Sequence, residues 1–194
     1  MTPAPLDRFL PEFDVRERHV IMVRAPAPLV LDVAHDFDPE SIPSVHAIFW
    51  LRAKALGART ERPPLPKGLV PWTLEMGWGA LAEEPGRLFV AGASCQPWKA
   101  DVVFTPIPPD EFASYAEPDR GKIAWTLEAE PLGPATSRFA SETRVLATDS
   151  AARQKFRRYW SFARFGIVAI RWLLLPGVRR EAERRWRSEK RAGR

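Results

Sequence analysis

The sequence holds one cysteine, Cys95, and three histidines. A single cysteine excludes an internal disulfide and any cysteine-cluster metal site. The histidines, His19, His35 and His46, do not stand at metal-ligand spacing, so we expect no bound metal and no cofactor. Glycine-rich phosphate loops, a Ser-His-Asp order and paired-carboxylate motifs are also missing. No catalytic signature is visible, and a non-catalytic function is therefore the leading prediction.

Long apolar runs are absent as well. The longest candidate, Phe165 to Leu175, contains Arg171 and falls short of the roughly 18 residues that a membrane-spanning helix needs. The first residues, MTPAPLDRFLPEFDVRERH, lack the charged-then-apolar pattern of a secretion signal. We therefore expect a soluble, cytoplasmic protein.

Charge is distributed unevenly along the chain. From Arg153 onward there are 14 Lys or Arg against 3 Asp or Glu, whereas the preceding part has an excess of acidic residues. A basic end on an acidic body is a candidate contact for nucleic acid or an anionic membrane. The alternative is a helix with a solvated basic face. We expect no nucleic-acid partner and at most a weak anionic-membrane contact through residues 178–194.

The hydrophobic pattern predicts an α+β domain. A strand at 17–26 precedes a helix that begins in PAPLVLDVAHDFD and a second helix that follows Ser41 and stops at Gly57. After a Pro-rich loop over 57–71, the period changes to two, as in strands. Asp149 and Ser150 then form a helix start with a capping side chain. The strands after the loop are predicted at 72–84, at 87–95, as two short strands within 99–116, at 121–133 and at 137–149.

The long C-terminal helix is predicted to be a core helix that lies across the sheet. On a helical wheel, Arg157, Ser161, Arg164, Val168 and Arg171 form one narrow ridge, and apolar residues fill an arc of roughly 240°. One sheet buries less than this arc, so the Pro-rich N-terminus, the terminal segment or a second copy of the chain must cover the rest. The Pro176-Gly177 pair is predicted to break or sharply kink the helix.

Three motifs support a family resemblance: GKIAW (121–125), SETRVLATDSAAR (141–153) and FRRYW (156–160). With the order of elements, they resemble the START-like, helix-grip SRPBCC superfamily of polyketide cyclases and lipid-transfer proteins, in a bacterial branch of unassigned activity. The resemblance implies a curved antiparallel sheet of about seven strands, two short helices after the first strand and a long C-terminal helix. It implies a domain over 15–175, between a Pro-rich segment (1–14) and a basic extension (176–194) that forms a short helix.

Such a fold implies a cavity between the sheet and the long helix. Eight tryptophans and eleven phenylalanines fit an apolar cavity wall, although they could instead fill the interior. The predicted lining residues are Met76, Trp78, Phe89, Trp98, Trp125, Phe139, Trp160, Arg164 and Ile167.

Polar side chains offer few candidates for chemistry. Glu142 and Arg144 share a strand face, either as a surface pair or as a buried pair that holds a polar ligand head. Asp101 and Glu75 could act as general bases if they were desolvated. Cys95 is expected to be a small buried apolar residue rather than an activated nucleophile.

Three hypotheses for function follow. The first is a non-catalytic binder or carrier of a hydrophobic small molecule, such as a lipid or a polyketide-like compound. The second is a cyclase- or dehydratase-type enzyme with one acid or base in the cavity. The third is a peripheral membrane or protein-interaction module that uses the basic C-terminus.

Overall fold

The computed structural model describes residues 4–57 and 66–192. Its five strands form one antiparallel sheet in the order β1-β5-β4-β3-β2, and a long C-terminal helix packs on it. The elements are β1 (Val15–Val23), α1 (Ala27–Asp36), α2 (Pro43–Leu56), α3 (Leu69–Glu75), β2 (Gly79–Glu84), β3 (Leu88–Cys95), β4 (Gly121–Gly133), β5 (Thr136–Ala147) and α4 (Ser150–Ala192). Short 3-10 turns cover Pro5–Arg8 and Pro39–Ser41.

The prediction of seven strands was wrong, because five are found among the described residues. Residues 72–75, predicted as the start of a strand, belong to helix α3, where Pro71 occupies the first turn and needs no backbone partner. Within 99–116 there is a single bridge, between Thr105 and Ser94. Prolines at 106, 108 and 109 remove the backbone donors that a ladder would require there. Residues 58–65 of the predicted loop lie outside the described residues.

The two faces of the sheet are covered by different parts of the chain. Helices α1 and α4 pack on one face, here called the inner face, which holds Val23, Phe89, Trp125, Leu127 and Phe139. The N-terminal segment and the loop after β3 cover the opposite, outer face. Their buried residues contact Leu81, Val90 and Ala124 of the sheet, and they are Leu6, Phe9, Leu10, Ile107 and Phe112. The Pro-rich N-terminus therefore covers the sheet, not the long helix as the sequence analysis considered.

Helix α4 continues through Pro176, so the predicted break is absent. Asp149 caps its start, since Oδ1 accepts a hydrogen bond of 2.7 Å from the Ala152 amide. Beyond the proline, Gly177 and Val178 are buried, and a Cβ at Gly177 would lie 2.6 Å from the Phe37 ring. A proline within a helix costs about 3 kcal/mol, and close packing against the end of α1 offsets this cost.

The orientation of α4 differs from the sequence prediction. Arg171, assigned to the polar ridge, points toward the sheet and donates hydrogen bonds to Ser141 and Thr143 of β5. Phe162, Phe165 and Trp172, assigned to the buried arc, are exposed. By length and composition, α4 is the one helix of the described ranges that could cross a membrane, although the sequence analysis expected none. In its most apolar 18-residue window, 22% is buried.

Candidate ligand-binding site

A group of polar side chains lies between the inner face and α4. It consists of Glu17 and His19 of β1, Ser141 and Thr143 of β5, and Arg171 of α4, and is called here the Arg171 cluster. In the strand register, Glu17 pairs with Thr143, and His19 pairs with Ser141. Alternate residues of a strand share a face, so these four side chains form a compact polar area opposite the Arg171 guanidinium.

The cluster is only partly protected from solvent. Side-chain exposure is 33% for Glu17 and 19% for His19, whereas Ser141 is 2% exposed. β1 is an edge strand, and its inner-face side chains Glu17 and His19 are therefore the accessible end of the group. The cluster therefore reaches solvent through Glu17 and His19.

Two buried nitrogen atoms of this region have no hydrogen-bond partner among the described residues. The buried Nε of Arg171 and the buried Nε2 of His19 have no hydrogen-bond partner within the described part of the chain. Glu17 Oε2 lies 3.9 Å from His19 Nε2, which is beyond hydrogen-bonding distance. Buried polar groups are normally paired, and each exception requires an explanation such as a ligand or an ordered water.

The electrostatics of the cluster are dominated by burial. Burial lowers the pKa of Arg171 to about 10, and the Glu17 carboxylate counteracts this effect. Burial also lowers the pKa of His19 below its usual 6.5, the positive charge of Arg171 lowers it further, and Glu17 opposes both. At neutral pH the cluster therefore presents a guanidinium beside a neutral imidazole.

The inner face changes from polar to apolar across the sheet. Trp125 of β4 pairs with Thr143 of β5 and, on its other side, with Ala91 of β3. Trp125 is 8% exposed and contacts Phe89 edge-to-face, with ring centroids 5.9 Å apart. The polar group on β1 and β5 thus adjoins an aromatic area on β3 and β4.

The structure divides the nine predicted lining residues into several groups. Phe89, Trp125 and Phe139 belong to the inner-face core, and Trp78 packs against it. Trp98 and Trp160 pack instead around Val145, Phe156 and Tyr159, near the start of α4. The remaining three are Met76 after α3, the half-buried Ile167, and Arg164.

Arg164 is exposed, with its guanidinium 4.7 Å from the centroid of the Phe165 ring. The sequence analysis predicted it in the cavity wall. Arg171 is the arginine that faces the sheet, so Arg164 is corrected to a surface residue.

Glu142 and Arg144 were left as a surface pair or a ligand-holding pair, and the structure supports neither. Both are buried, but they lie on the outer face, away from the Arg171 cluster. Arg144 Nε donates to Glu142 (2.7 Å) and Nη1 donates to the Leu10 carbonyl (2.9 Å). Nη2 lies 2.8 Å from Asp7. The pair fastens the N-terminal segment to the sheet.

The other candidates for chemistry do not join the site. Asp101 and Glu75 are exposed, so the condition of desolvation is not met. Cys95 is buried at the end of β3, in agreement with the small apolar role. Of the described residues, no three His, Cys, Asp or Glu side chains form a group that could hold a metal.

Two cavities lie on the α1 side of the molecule. The larger, of about 470 Å³, lies between the end of α1 and the last third of α4, and residues of both charges line it, including Asp36, Arg180, Glu181 and Arg184. The smaller, of about 140 Å³, lies between α1 and the β2–β3 hairpin. Neither contains a residue of the Arg171 cluster.

Comparisons with known proteins do not identify a family for this chain. No protein-family model matches the chain, and no curated protein matches it. Among solved structures, the chain is similar to the Zhui aromatase/cyclase from Streptomyces sp. R1128, with 14% identity and a TM-score of 0.29 over 88% of this chain and 94% of that one. At this level of likeness, the function of the neighbour does not transfer, and the site rests on its own geometry.

The sequence analysis missed the Arg171 cluster although one signal for it was present. Alternation on β5 places Ser141 and Thr143 on the same face as Phe139 and Val145, and that face points to the core. Polar residues on a core-facing strand side require polar partners. Arg171 is the only Lys or Arg between 165 and 178 of the apolar helix. The polar residues on the core-facing side of β5 therefore predict that Arg171 points toward the sheet.

Proposed function

We propose that the protein binds an amphipathic small molecule between the inner face of the sheet and α4. An acidic or carbonyl group of the ligand would accept hydrogen bonds at the Arg171 cluster, and its apolar body would lie toward Trp125. The observation on which this rests is a pair of buried nitrogen atoms, the Arg171 Nε donor and His19 Nε2, that lack a hydrogen-bond partner in the described ranges. The order of the elements supports the resemblance to START-like binding proteins.

The energetics favour a ligand of this kind. A guanidinium withdrawn from water is costly unless it is paired with a negative group. Arg171 is half-buried with its Nε buried, and no carboxylate of the described residues forms a salt bridge with it. A hydrogen bond to a charged group contributes about 1.5–3 kcal/mol. Burial of an apolar ligand body adds roughly 25 cal/mol per Å². The polar contact would set orientation, while the apolar contact would supply most of the affinity.

The test compares two probes that differ in the head group alone. Native mass spectrometry of the purified protein would first reveal any co-purified acid, and calorimetry would then measure binding of decanoate and decan-1-ol. Arg171→Met should weaken decanoate binding by about 10-fold to 100-fold, which corresponds to the loss of one or more charged hydrogen bonds. Decanol binding should change little.

Arg164→Met is the matched control, because Arg164 lies on the same helix and is exposed. It should leave the binding of both probes unchanged. The proposal fails if neither probe binds and the purified protein holds no small molecule, or if both arginine variants weaken decanoate equally.

A second candidate function, proton transfer at carbon, is favoured by His19. Its imidazole is neutral at neutral pH because burial lowers its pKa. In the tautomer that carries the proton on Nδ1, its Nε2 is a base without a hydrogen-bond partner among the described residues. A neutral imidazole can accept a proton from an acidic C–H, while Arg171 would stabilise the resulting enolate oxygen. This would be a cyclase-type step.

Deuterium exchange tests this candidate directly. 2-Acetylnaphthalene in D₂O would exchange its methyl protons by abstraction at His19 and return of a deuteron, without any other reactant. Proton NMR should show exchange faster than in buffer, and His19→Gln should abolish the acceleration while decanoate binding persists. Equal rates with the wild type and with buffer would leave binding as the function.

A further inference from the structure

The exposed side of α4 bears a line of aromatic side chains. Phe162, Phe165 and Trp172, here called the aromatic stripe, are 51%, 65% and 70% exposed. At 3.6 residues per turn, their spacing places them within about 80° of one another around the helix. Large exposed apolar patches on a protein surface mark contact sites for proteins or membranes.

Helix α2 extends the apolar character of this side. It contacts α4 at Gly166, where the Ile48 methyl lies 3.0 Å from the position of a Gly166 Cβ. On α2, Trp50 and Leu51 are 50% and 57% exposed, and the Lys54 ammonium lies 5.0 Å from the Trp50 ring. Both helices therefore combine exposed aromatic rings with cationic side chains.

The charge around the stripe has one sign. Between Ser150 and Arg180 the helix has seven arginines and Lys155, and no Asp or Glu. Arg157, Arg158, Arg164, Arg179 and Arg180 are exposed, so cationic groups lie at both ends of the stripe and beside it. Aromatic residues flanked by arginine are typical of helices that lie in the interface of a membrane with anionic lipids.

We propose that the aromatic stripe docks on an anionic lipid bilayer. A second copy of the chain is a poorer occupant, because a two-fold contact through the stripe would bring the two sets of exposed arginines together. A spanning arrangement is also disfavoured, since Arg171 is held to Ser141 and Thr143 and the opposite side of α4 packs on the sheet. The helix can present one face to lipid, with its axis along the membrane surface.

The proposed surface differs from the basic end of the chain, which the sequence alone favoured. In that end Glu181 pairs with Arg184 and Arg185, at 2.7 and 2.8 Å, and Glu183 lies 3.9 Å from Arg187. Internal ion pairs reduce the charge that this segment can offer to a membrane. The stripe side of α4 has no such carboxylates on the helix itself.

Vesicle flotation with the full chain tests the proposal. Vesicles of phosphatidylcholine, with and without phosphatidylglycerol, would be compared at about 0.1 M and about 1 M NaCl. At the higher salt concentration, charge interactions are screened beyond about 3 Å. The wild type should float with the anionic vesicles at low salt. Two variants, F162Q/F165Q/W172Q and R157Q/R158Q/R164Q, should each lower the partition coefficient at least 10-fold.

Two control variants keep the test specific. V103Q/L132Q removes exposed apolar side chains of similar exposure elsewhere, 70% and 51%, and R184Q/R185Q removes arginines of the C-terminal end. Both should float like the wild type, and far-UV circular dichroism would show that each variant is folded. Flotation unchanged by the stripe variant would overturn the proposal.

Other outcomes would also overturn it. A wild type that does not float, but whose dimer in light scattering is lost in F162Q/F165Q/W172Q, would assign the stripe to self-association. Resistance of the membrane-bound protein to alkaline carbonate extraction would assign α4 to a spanning role. Neither readout involves decanoate binding, so the result is independent of the proposed ligand site.

Discussion

Strand β5 places one buried arginine network and one open polar cluster on opposite faces of the same sheet. Toward the outer face, Glu142 and Arg144 join Arg16, Asp7 and the Leu10 carbonyl, and Arg144 donates from each of its three guanidinium nitrogens. Toward the inner face, Ser141 and Thr143 accept from Arg171, whose Nε finds no acceptor among the described residues. Four consecutive residues thus serve two different environments.

The difference between the two arginines indicates a structural role for Arg144 and a functional role for Arg171. Arg144 is surrounded by acceptors from the chain itself, so its network holds the N-terminal segment on the sheet. Arg171 is half-buried, its Nε is buried without a partner among the described residues, and the chain maintains this arrangement at a cost in stability. Sites at which a protein keeps costly local features are commonly functional. The comparison predicts opposite responses to the same substitution at the two arginines.

The largest expected effect is that of Arg144→Met. Methionine cannot pair with Glu142 or Asp7, and breaking a buried ion pair from one side costs about 3–5 kcal/mol. Urea denaturation should show a loss of this size in the free energy of unfolding. The N-terminal segment should also become sensitive to proteolysis, because its Leu10 carbonyl loses the Arg144 donor.

The control for this variant is Arg138→Met on the same strand. Arg138 also points to the outer face, but its ion pair with Glu130 is exposed, at 47% and 40%. Exposed pairs contribute within about 1 kcal/mol, so Arg138→Met should have little effect. Similar losses at both positions would contradict the view that Arg144 is the centre of a buried network.

The regular parts of this fold follow from local sequence signals. The alternation in 121–133 predicted β4 with its observed ends, and the Asp149 cap predicted the start of α4 at Ser150. Gly57, with φ 68°, stops α2 as predicted. The prediction failed at Pro71 and Pro176, where proline lies within a helix. At Pro176 the outcome depends on packing against Phe37, which is distant in sequence.

The site was harder to predict because its parts are distant in sequence. Glu17 and His19 lie more than 120 residues before Ser141 and about 150 before Arg171. A helical wheel assigns charged residues to solvent and aromatic residues to the core. In α4 this assignment is reversed, since the inner face offers hydroxyls to Arg171 while Phe165 and Trp172 are exposed. Only the combined pattern of β1, β5 and α4 reveals it.

A smaller effect, of opposite sign, is expected for Arg171→Met. Methionine keeps much of the apolar stem and removes a half-buried charge that has no ion-pair partner among the described residues. Replacement of a whole buried ion pair by apolar residues is often neutral or stabilising by about 1–4 kcal/mol, and at Arg171 no carboxylate partner would be left behind. In the absence of ligand, we expect the free energy of unfolding of Arg171→Met, measured by urea denaturation, to exceed that of the wild type by about 1–2 kcal/mol.

This prediction has its control on the same helix. Arg164→Met should shift the free energy of unfolding by less than about 0.5 kcal/mol, as do most surface substitutions. A clear loss of stability in Arg171→Met would place Arg171 in the same class as Arg144. The inner face would then be a structural network, and the proposed ligand site would lose its main support.

The smallest expected effect is a pH dependence that separates the two faces. The pKa of His19 is lowered, chiefly by burial, so the folded state favours the neutral form. Its contribution to stability is therefore complete above pH 6.5 and is lost as the pH falls through the lowered pKa. Burial raises the pKa of Glu142, but hydrogen bonds from Arg16 and Arg144 outweigh this and lower it below 4.5. Its contribution is lost only at more acidic pH.

Thermal melts of the wild type, His19→Gln and His46→Gln across this range measure the effect. The wild type should lose stability first as the pH falls below 6.5 through the lowered pKa of His19, before the pH reaches the range in which Glu142 is protonated, and His19→Gln should remove only that first decline. His46 is exposed, so His46→Gln should follow the wild type. The difference should be modest, because His19 retains 19% side-chain exposure and solvent screens its charge. A first decline that persists in His19→Gln would mean that the inner face holds its histidine without cost, unlike its arginine.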